Sequence, residues 1–143
     1  MSTCVREVKT EQEFCKVLPV LQQLRPTLSQ EEAQPLLERM KEENYRLFAL
    51  YNSEEEVVSL AGTAICTNFY NKKHVFIYDL VTAEAHRSKG HGEKLLSYIE
   101  GWGKENDCSC IVLTSAFPRM DAHRFYEREG YEKVSYSFWK EIK

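Results

Sequence analysis

The chain has 143 residues, 43% of them hydrophobic and 12% aromatic, which is typical of one globular domain with a buried core and excludes a disordered chain. Its formal net charge of -3 argues against a general nucleic-acid binder, and no apolar run approaches the roughly 18 residues of a membrane span. We therefore expect one domain over residues 1–143, with neither a nucleic acid nor a membrane as partner.

The N-terminal part of the chain predicts one strand and two helices. Residues 4–9 alternate between polar and apolar side chains, as a half-buried strand does. Residues 10–26 carry apolar side chains at helical spacing, and Thr10 stands where a helix cap is expected. Ser29 opens an S-x-x-E capping box, which indicates a second helix over residues 29–44.

Three strands are predicted in the middle of the chain, over residues 45–52, 57–70 and 74–82. Gly62, inside the second of these runs, indicates a β-bulge. The third run is apolar almost throughout, so we expect it to lie at the centre of a sheet.

Helices and strands alternate in the rest of the chain. Residues 92–107 predict a helix, residues 110–116 a buried strand, residues 120–130 a short helix and residues 131–142 a closing strand. The whole order is β-α-α-β-β-β-α-β-α-β. It predicts a mixed α/β protein with a sheet that is partly antiparallel and partly parallel.

The cysteines give no sign of disulfides or of a metal. There are five of them, which is an odd number, and their spacing matches no disulfide framework. Cys108 and Cys110 form C-x-C rather than C-x-x-C, so we predict no metal site. Because the N-terminal stretch is polar and unlike a signal peptide, we expect a cytoplasmic protein.

The sequence RSKGHG, residues 87–92, joins the apolar strand to the following helix. The first amides of a helix lack internal partners, and Gly90 and Gly92 let a ligand approach them closely. This pattern predicts a phosphate site, with a tight turn as the alternative. It is not a Walker A loop, and Leu95 stands where the dinucleotide fingerprint needs its third glycine.

Two stretches carry a family resemblance. DLVTAEAHRSKGHGEKLL resembles motif A of the GNAT superfamily of acetyl-CoA-dependent N-acetyltransferases, with Arg87, Gly90 and Gly92 in its [RQ]-x-x-G-x-[GA] pattern. DAHRFYEREGYEK is similar to the superfamily's motif B. The likeness spans residues 75–131 and implies the GNAT fold, an α/β (α+β) protein whose mixed central sheet contains two strands that splay apart.

The resemblance implies acetyl-CoA as the acetyl donor, bound at three places. Backbone groups at the end of the apolar strand bond the pantetheine arm, the glycine loop wraps the pyrophosphate, and a polar residue after the next strand contacts the cofactor. The residues implied for the cofactor are Leu80, Val81, Thr82, Arg87, Ser88, Lys89, Gly90, His91, Gly92, Glu93, Ser115 and Tyr126.

The resemblance implies one catalytic role, and the residues themselves suggest a second. Tyr126 matches the family's tyrosine that protonates the leaving thiolate, although a tyrosine on an apolar helix face is often only packing. Asp79 is a carboxylate within an apolar strand, so it is the general base, a ligand of a cationic substrate or a hydrogen-bond partner of a neighbouring loop, and Glu84 is the alternative base. For the acceptor we expect Arg25, as the receptor of an anionic group, together with Tyr78, Asp79 and Tyr136.

These observations predict an enzyme that transfers acetyl from acetyl-CoA directly to the primary amine of a small molecule. TSAFPRMDAHRFYEREGYE is similar to bacterial aminoalkylphosphonate N-acetyltransferases, which favours a small acceptor. The alternatives are acetylation of a protein lysine or N-terminal amine, and an acyl-CoA-binding module without turnover. A nucleotide-binding domain is a third possibility. We also expect a possible homodimer, since many GNAT proteins form one.

Overall fold

A computed structural model describes residues 2–143 of the chain. Every predicted element except the last is present, in the predicted order, and the described residues include no helix both long and apolar enough to cross a membrane. The elements are β1 (Thr3–Glu7), α1 (Glu11–Leu24), α2 (Gln30–Glu42), β2 (Tyr45–Asn52), β3 (Val57–Asn68), β4 (Lys72–Thr82), a 3-10 turn (Glu84–His86), α3 (His91–Glu105), β5 (Cys110–Leu113) and α4 (Met120–Arg128).

The two N-terminal helices begin where the sequence predicts. Thr10 and Ser29 each accept a hydrogen bond from the backbone of the third helical residue, and Glu13 and Glu32 bond back to the two cap residues. These reciprocal bonds satisfy backbone N–H groups that a helix start otherwise leaves free. Both predicted capping positions are confirmed.

The five strands form one sheet in the order β1-β2-β3-β4-β5, and β1 to β4 pair antiparallel. β5 follows β4 through α3, the kind of connection that mixed sheets use. The β3–β4 register shifts at Gly62, where Asp79 lies opposite Gly62 but Ile77 lies opposite Thr63. Tyr78 is therefore the extra residue of a bulge, and the predicted irregularity at Gly62 is confirmed.

The helices cover both faces of the sheet. Tyr45, Leu47 and Ala49 of β2 belong to the core shared with α1 and α2. Phe48 points the other way and packs against Tyr98 and Trp102 of α3, with ring centroids 5.6 and 5.1 Å apart. This alternation puts α3 behind the sheet and leaves α1 and α2 in front of it.

The chain divides into two compact units, the first ending at Val112 and the second running from Leu113 to Lys143. In the second unit the predicted strand over residues 131–142 is wrong, because those residues form no regular element. Its apolar side chains are exposed, Phe138 by 94%. A strand is stable only in a ladder, and no described strand pairs with this segment. β5 is also shorter than predicted, ending at Leu113.

Gly62 is required by a close approach between strands. A Cβ built on Gly62 would overlap the Tyr45 hydroxyl and lie 2.8 Å from Asp79 Oδ2. Tyr45 and Asp79 are both buried, so neither has free space into which to move. Glycine is therefore the residue type that admits these two side chains at this place in the sheet.

We expect Gly62→Ala to lower the free energy of unfolding by roughly 1–3 kcal/mol, because the added methyl displaces a buried phenol. Gly101→Ala is the control. Apart from its chain neighbours and the backbone of its own helix, a Cβ there meets no described atom within 4 Å, and the change should stabilise the helix by about 0.5–1 kcal/mol. Urea unfolding measures both. An equal effect of the two substitutions would contradict the crowding at Gly62.

Candidate active site

The turn between β4 and α3 gathers backbone amides. Ser88 and Gly90 have φ angles of 65° and 79°, the left-handed conformation that glycine adopts without strain. The first bond within α3 joins the Lys94 N–H to the Gly90 carbonyl at 3.1 Å. The N–H groups of residues 91–93 thus have no partner inside the helix, and the helix dipole adds positive potential there. Such a helix start binds anions.

His91 lies at this helix start with an unused polar atom. Its Nδ1 is buried and has no hydrogen-bond partner among residues 2–143. Burial lowers the pKa of His91 below its usual value, and the nearby Lys94, His86 and Lys89 lower it further. A neutral imidazole with an orphaned nitrogen is suited to hydrogen bonding with a bound polar group.

The end of β4 presents backbone groups in two directions. The Val81 carbonyl accepts a hydrogen bond from the Ser59 hydroxyl at 3.0 Å, and the Ala83 N–H donates to a β3 carbonyl at 2.9 Å. Backbone groups of alternate residues point to the same side of a strand. Those of Val81 and Ala83 therefore face β3, while those of Leu80 and Thr82 face away from it.

The groups facing away lie beyond the reach of β5. The Ser109 N–H bonds the Lys73 carbonyl at 2.8 Å, next to the start of β5. β5 has only 4 residues, or about 13 Å, whereas Leu80 lies about 23 Å along β4 from Lys73. Thr82 lies two residues beyond Leu80 on β4, and its carbonyl accepts a long hydrogen bond of 3.4 Å from Arg87 Nε. This free edge of β4 adjoins the amide-rich turn.

Asp79 is a buried carboxylate held from two sides. Its Oδ1 accepts from Arg25 Nε at 3.1 Å, and its Oδ2 accepts from the Tyr45 hydroxyl at 2.8 Å. Arg25 Nη2 also donates to the Tyr78 carbonyl at 2.9 Å, at the bulge. Arg25 caps the end of α1, so the cluster joins that helix to β2 and β4. These contacts support the expected alternative for Asp79, a bond to a neighbouring loop.

The pKa of Tyr45 is strongly changed by its place in this cluster. Burial raises the pKa of the Tyr45 phenol well above its ordinary value of 10.0, and the charge and hydrogen bond of Asp79 raise it further. The nearby Arg25 opposes this change only in part. Tyr45 is therefore a fixed donor to Asp79 at all ordinary pH values.

A pocket of about 330 Å3 opens beside Asp79, between α1, α2 and the sheet. Its polar side chains include Arg25, Glu32 and Asp79. Its apolar side chains include Phe14, Leu21, Leu28, Leu36, Leu37 and Met40. The volume and the mainly apolar lining are those of a small-molecule site.

Tyr126 lies on α4 in the second unit. Its ring packs against Phe125 and Tyr131, with centroids 5.4 and 6.0 Å apart. Burial raises the pKa of Tyr126 above its ordinary value, and Arg119 opposes this increase. The phenol is thus protonated at neutral pH and able to donate a proton.

The other expected residues of the second unit differ from one another. Ser115 Oγ is buried and has no hydrogen-bond partner within the described part of the chain, as expected of a group that meets a ligand. Tyr136 is 75% exposed and belongs to the segment that forms no strand.

Across residues 2–143, no group of three or more His, Cys, Asp or Glu side chains is placed to hold a metal ion.

Of the residues expected at the acceptor, the structure brings Arg25, Tyr78 and Asp79 into direct contact. Sequence reasoning missed Tyr45 and Glu32. Tyr45 occupies an inward position of β2, and its buried hydroxyl needs a partner. That requirement was the available signal, because Asp79 is a buried acceptor on a strand of the same sheet.

The known proteins that are similar to this chain include several acetyltransferases. Residues 10–131 match the model of the "Acetyltransferase (GNAT) family". The "Uncharacterized N-acetyltransferase YhdJ" of Bacillus subtilis is 33% identical over 140 residues, which cover 96% of this chain and 98% of that protein. The "Aminoalkylphosphonate N-acetyltransferase" of Salmonella typhimurium is 33% identical over 100 residues, covering 69% of this chain and 63% of that protein.

Solved structures share the fold at low sequence identity. An aminoglycoside N-acetyltransferase, AAC(6')-Iy in complex with CoA, has a TM-score of 0.86 and 13% identity, covering 99% of this chain and 95% of its own. A transcriptional regulator from Bacillus halodurans has a TM-score of 0.82 and 24% identity, covering 99% of this chain and 100% of its own.

We expect Tyr45→Phe to alter how stability depends on alkaline pH. The folded pKa of Tyr45 lies above its unfolded value of 10.0. Its contribution to stability is therefore complete below pH 10 and is lost as the pH rises from about 10 towards the folded pKa, at about 1.4 kcal/mol for each pH unit. The variant lacks this part of the slope.

Denaturant unfolding between neutral pH and strongly alkaline pH measures the effect. Ile99→Val is the control, because it truncates a buried core residue without removing a titrating group. It should lower stability and keep the wild-type slope. A Tyr45→Phe protein whose alkaline slope equals that of wild type would contradict the assignment.

Proposed function

We propose, since the chain belongs to the GNAT acetyltransferase family, that this N-acetyltransferase moves the acetyl group of acetyl-CoA to the primary amine of a small molecule. The observation that carries the proposal is the set of free amides at the start of α3, beside a β4 edge that β5 does not cover. A diphosphate and an amide-bearing chain are the two chemical groups that such neighbours bind.

The residues present fit acetyl-CoA. The amides of residues 91–93, with Arg87 and Lys89, would hold the pyrophosphate, and the orphaned His91 Nδ1 would meet a polar atom of the same ligand. The backbone groups of Leu80 and Thr82 would pair with the pantetheine arm as an added strand does. The Val81 carbonyl is already bonded by Ser59, and the Val81 side chain belongs to the core. Val81 is therefore less available to the pantetheine arm than Leu80 and Thr82.

Positioning supplies much of the catalysis in this proposal. Acetyl-CoA supplies the acetyl group as a reactive thioester. The acceptor amine has to be neutral and close to that thioester, and the pocket beside Asp79 would hold it there. Asp79 stays our prediction for the base. Its two oxygens each accept one hydrogen bond, and a carboxylate has about four acceptor sites, so room for an amine or a water remains.

Tyr126 is the acid in this proposal. The bond that breaks is the one between the acyl carbon and sulfur, and the departing thiolate needs a proton. Burial keeps the Tyr126 phenol protonated at neutral pH, which is the form that donates. Ser115, whose Oγ is buried and orphaned, would contact the cofactor.

A small acceptor is supported by two observations. The relative from Salmonella typhimurium is named for a small aminoalkyl substrate, and the pocket beside Asp79 has the size of a small-molecule site. A lysine or N-terminal amine of a protein remains the alternative acceptor. The cytoplasmic location and the homodimer stay predictions from the sequence.

A thermal-unfolding screen followed by an amine panel tests the proposal. Acetyl-CoA and CoA should raise the melting temperature, whereas ATP and NAD should not. With acetyl-CoA present, at least one small primary amine should release free CoA thiol faster than a buffer blank. Protection by acetyl-CoA without thiol release from any amine or lysine peptide would indicate the non-catalytic binding module instead.

We expect Tyr126→Phe to reduce turnover by about tenfold or more while acetyl-CoA affinity stays nearly unchanged, because the proton donor is lost and the ring remains. Tyr70→Phe is the matched control, since it removes a hydroxyl from a ring that is 80% exposed. Thiol-release kinetics and acetyl-CoA titration measure the two quantities. Unchanged turnover in a folded Tyr126→Phe protein would remove the acid role.

A further inference from the structure

The lining of the pocket beside Asp79 is mainly apolar. Its apolar part comes from both N-terminal helices and includes Phe14, Leu36 and Met40. Leu36 is 49% exposed although it is a leucine on an amphipathic helix, so the pocket offers apolar surface to a ligand. A ligand that covers this surface gains free energy by removing it from water.

The charges of the pocket sum to a negative value. Of its described lining residues, Arg25 is the one cation, while Glu32 and Asp79 are anions. The charge of Arg25 is paired with Asp79, and two of its five N–H donors are used, since Nε bonds Asp79 at 3.1 Å and Nη2 bonds the Tyr78 carbonyl at 2.9 Å. An anionic group of a substrate would therefore compete with Asp79 for this cation.

Glu32 places a negative charge at the pocket and also belongs to the capping box of α2. Its Oε1 accepts from the Ser29 backbone and hydroxyl at 3.2 and 3.0 Å, in the capping box of α2. These bonds fix the carboxylate in place and do not neutralise it. Because Arg25 balances Asp79, the unbalanced charge of the pocket lining is that of Glu32, which attracts a cationic ligand and repels an anionic one.

We propose that the acceptor is an amine with one positive charge and an apolar body, such as an arylalkyl or alkyl monoamine. The inference rests on the proposed function and names the substrate class of that same site. The amine would lie at Asp79, whose strand continues into the free edge at Leu80 and Thr82. The apolar body would lie along Leu36 and Met40, where hydroxyl or phosphonate groups would lose their hydrogen bonds to water.

Three amines that share an aminoethyl group test the inference. Phenethylamine carries a ring, ethanolamine a hydroxyl and 2-aminoethylphosphonate a dianion on the same two-carbon chain; spermidine adds a polycation. With acetyl-CoA present, we expect kcat/KM for phenethylamine to exceed the value for each of the others by about tenfold or more. A higher kcat/KM for ethanolamine, for the phosphonate or for spermidine would overturn the inference.

A charge placed in the apolar wall gives the matched variant. Leu36→Arg puts a cation where the apolar body lies, on a half-exposed position that leaves the buried core intact. It should lower kcat/KM for phenethylamine about tenfold or more. Gln34→Arg makes the same change in charge on α2, outside the pocket lining, and should leave the value unchanged. Equal effects of the two substitutions would overturn the inference.

Binding without acetyl-CoA separates this inference from the proposed function. Phenethylamine alone should raise the melting temperature of the wild-type chain and not of Leu36→Arg. That protection without thiol release supports the inference and refutes turnover. Thiol release that favours the phosphonate supports the enzyme and refutes the inference. If phenethylamine gives neither protection nor thiol release, the inference is overturned.

Discussion

Asp79 carries a negative charge into a part of the sheet where water has little access, and the surrounding structure is arranged around that charge. Such a group is tolerated only when its oxygens are paired. Tyr45 supplies a neutral donor from β2 and Arg25 supplies a charged donor from the end of α1. Because the two donors come from different elements, the carboxylate fixes the position of α1 relative to β4 and lines the pocket that we propose for the acceptor.

The same strand carries the two halves of the proposed reaction. The bulge at Tyr78 shifts the register of β4 against β3 just before the residues that would pair with the donor. Beyond it, β4 continues past the end of β5, so its outer backbone groups remain available, and the amides of α3 follow within a few residues. The proposed acceptor and donor sites are thus consecutive along one strand, and local geometry would set the distance between the amine and the thioester.

Local signals made much of this fold predictable. The capping boxes at Thr10 and Ser29 depend on neighbours in sequence and were located correctly, as was the bulge at Gly62. The glycine loop could be recognised because a helix start needs only consecutive residues. The cluster of Tyr45 and Asp79 could not, since it joins residues 34 positions apart and depends on strand register.

The closing strand was predicted wrongly for the same reason that the contact between Tyr45 and Asp79 was missed. Alternation of apolar residues after Gly130 describes a chain that is able to pair, but a ladder also requires an available edge, which no local pattern encodes. The role of Arg25 shows the converse case. Its charge suggested an anion receptor, whereas the fold commits that charge to Asp79.

The close approach at Gly62 links three positions across evolution. Any homologue that gains a side chain there must lose the bulk of Tyr45, and Asp79 would then lack one donor. We therefore expect the three positions to be replaced together, with the glycine, the phenol and the carboxylate covarying as one unit. Lineages that keep only part of the trio should carry a smaller side chain at position 45 and a neutral residue at position 79.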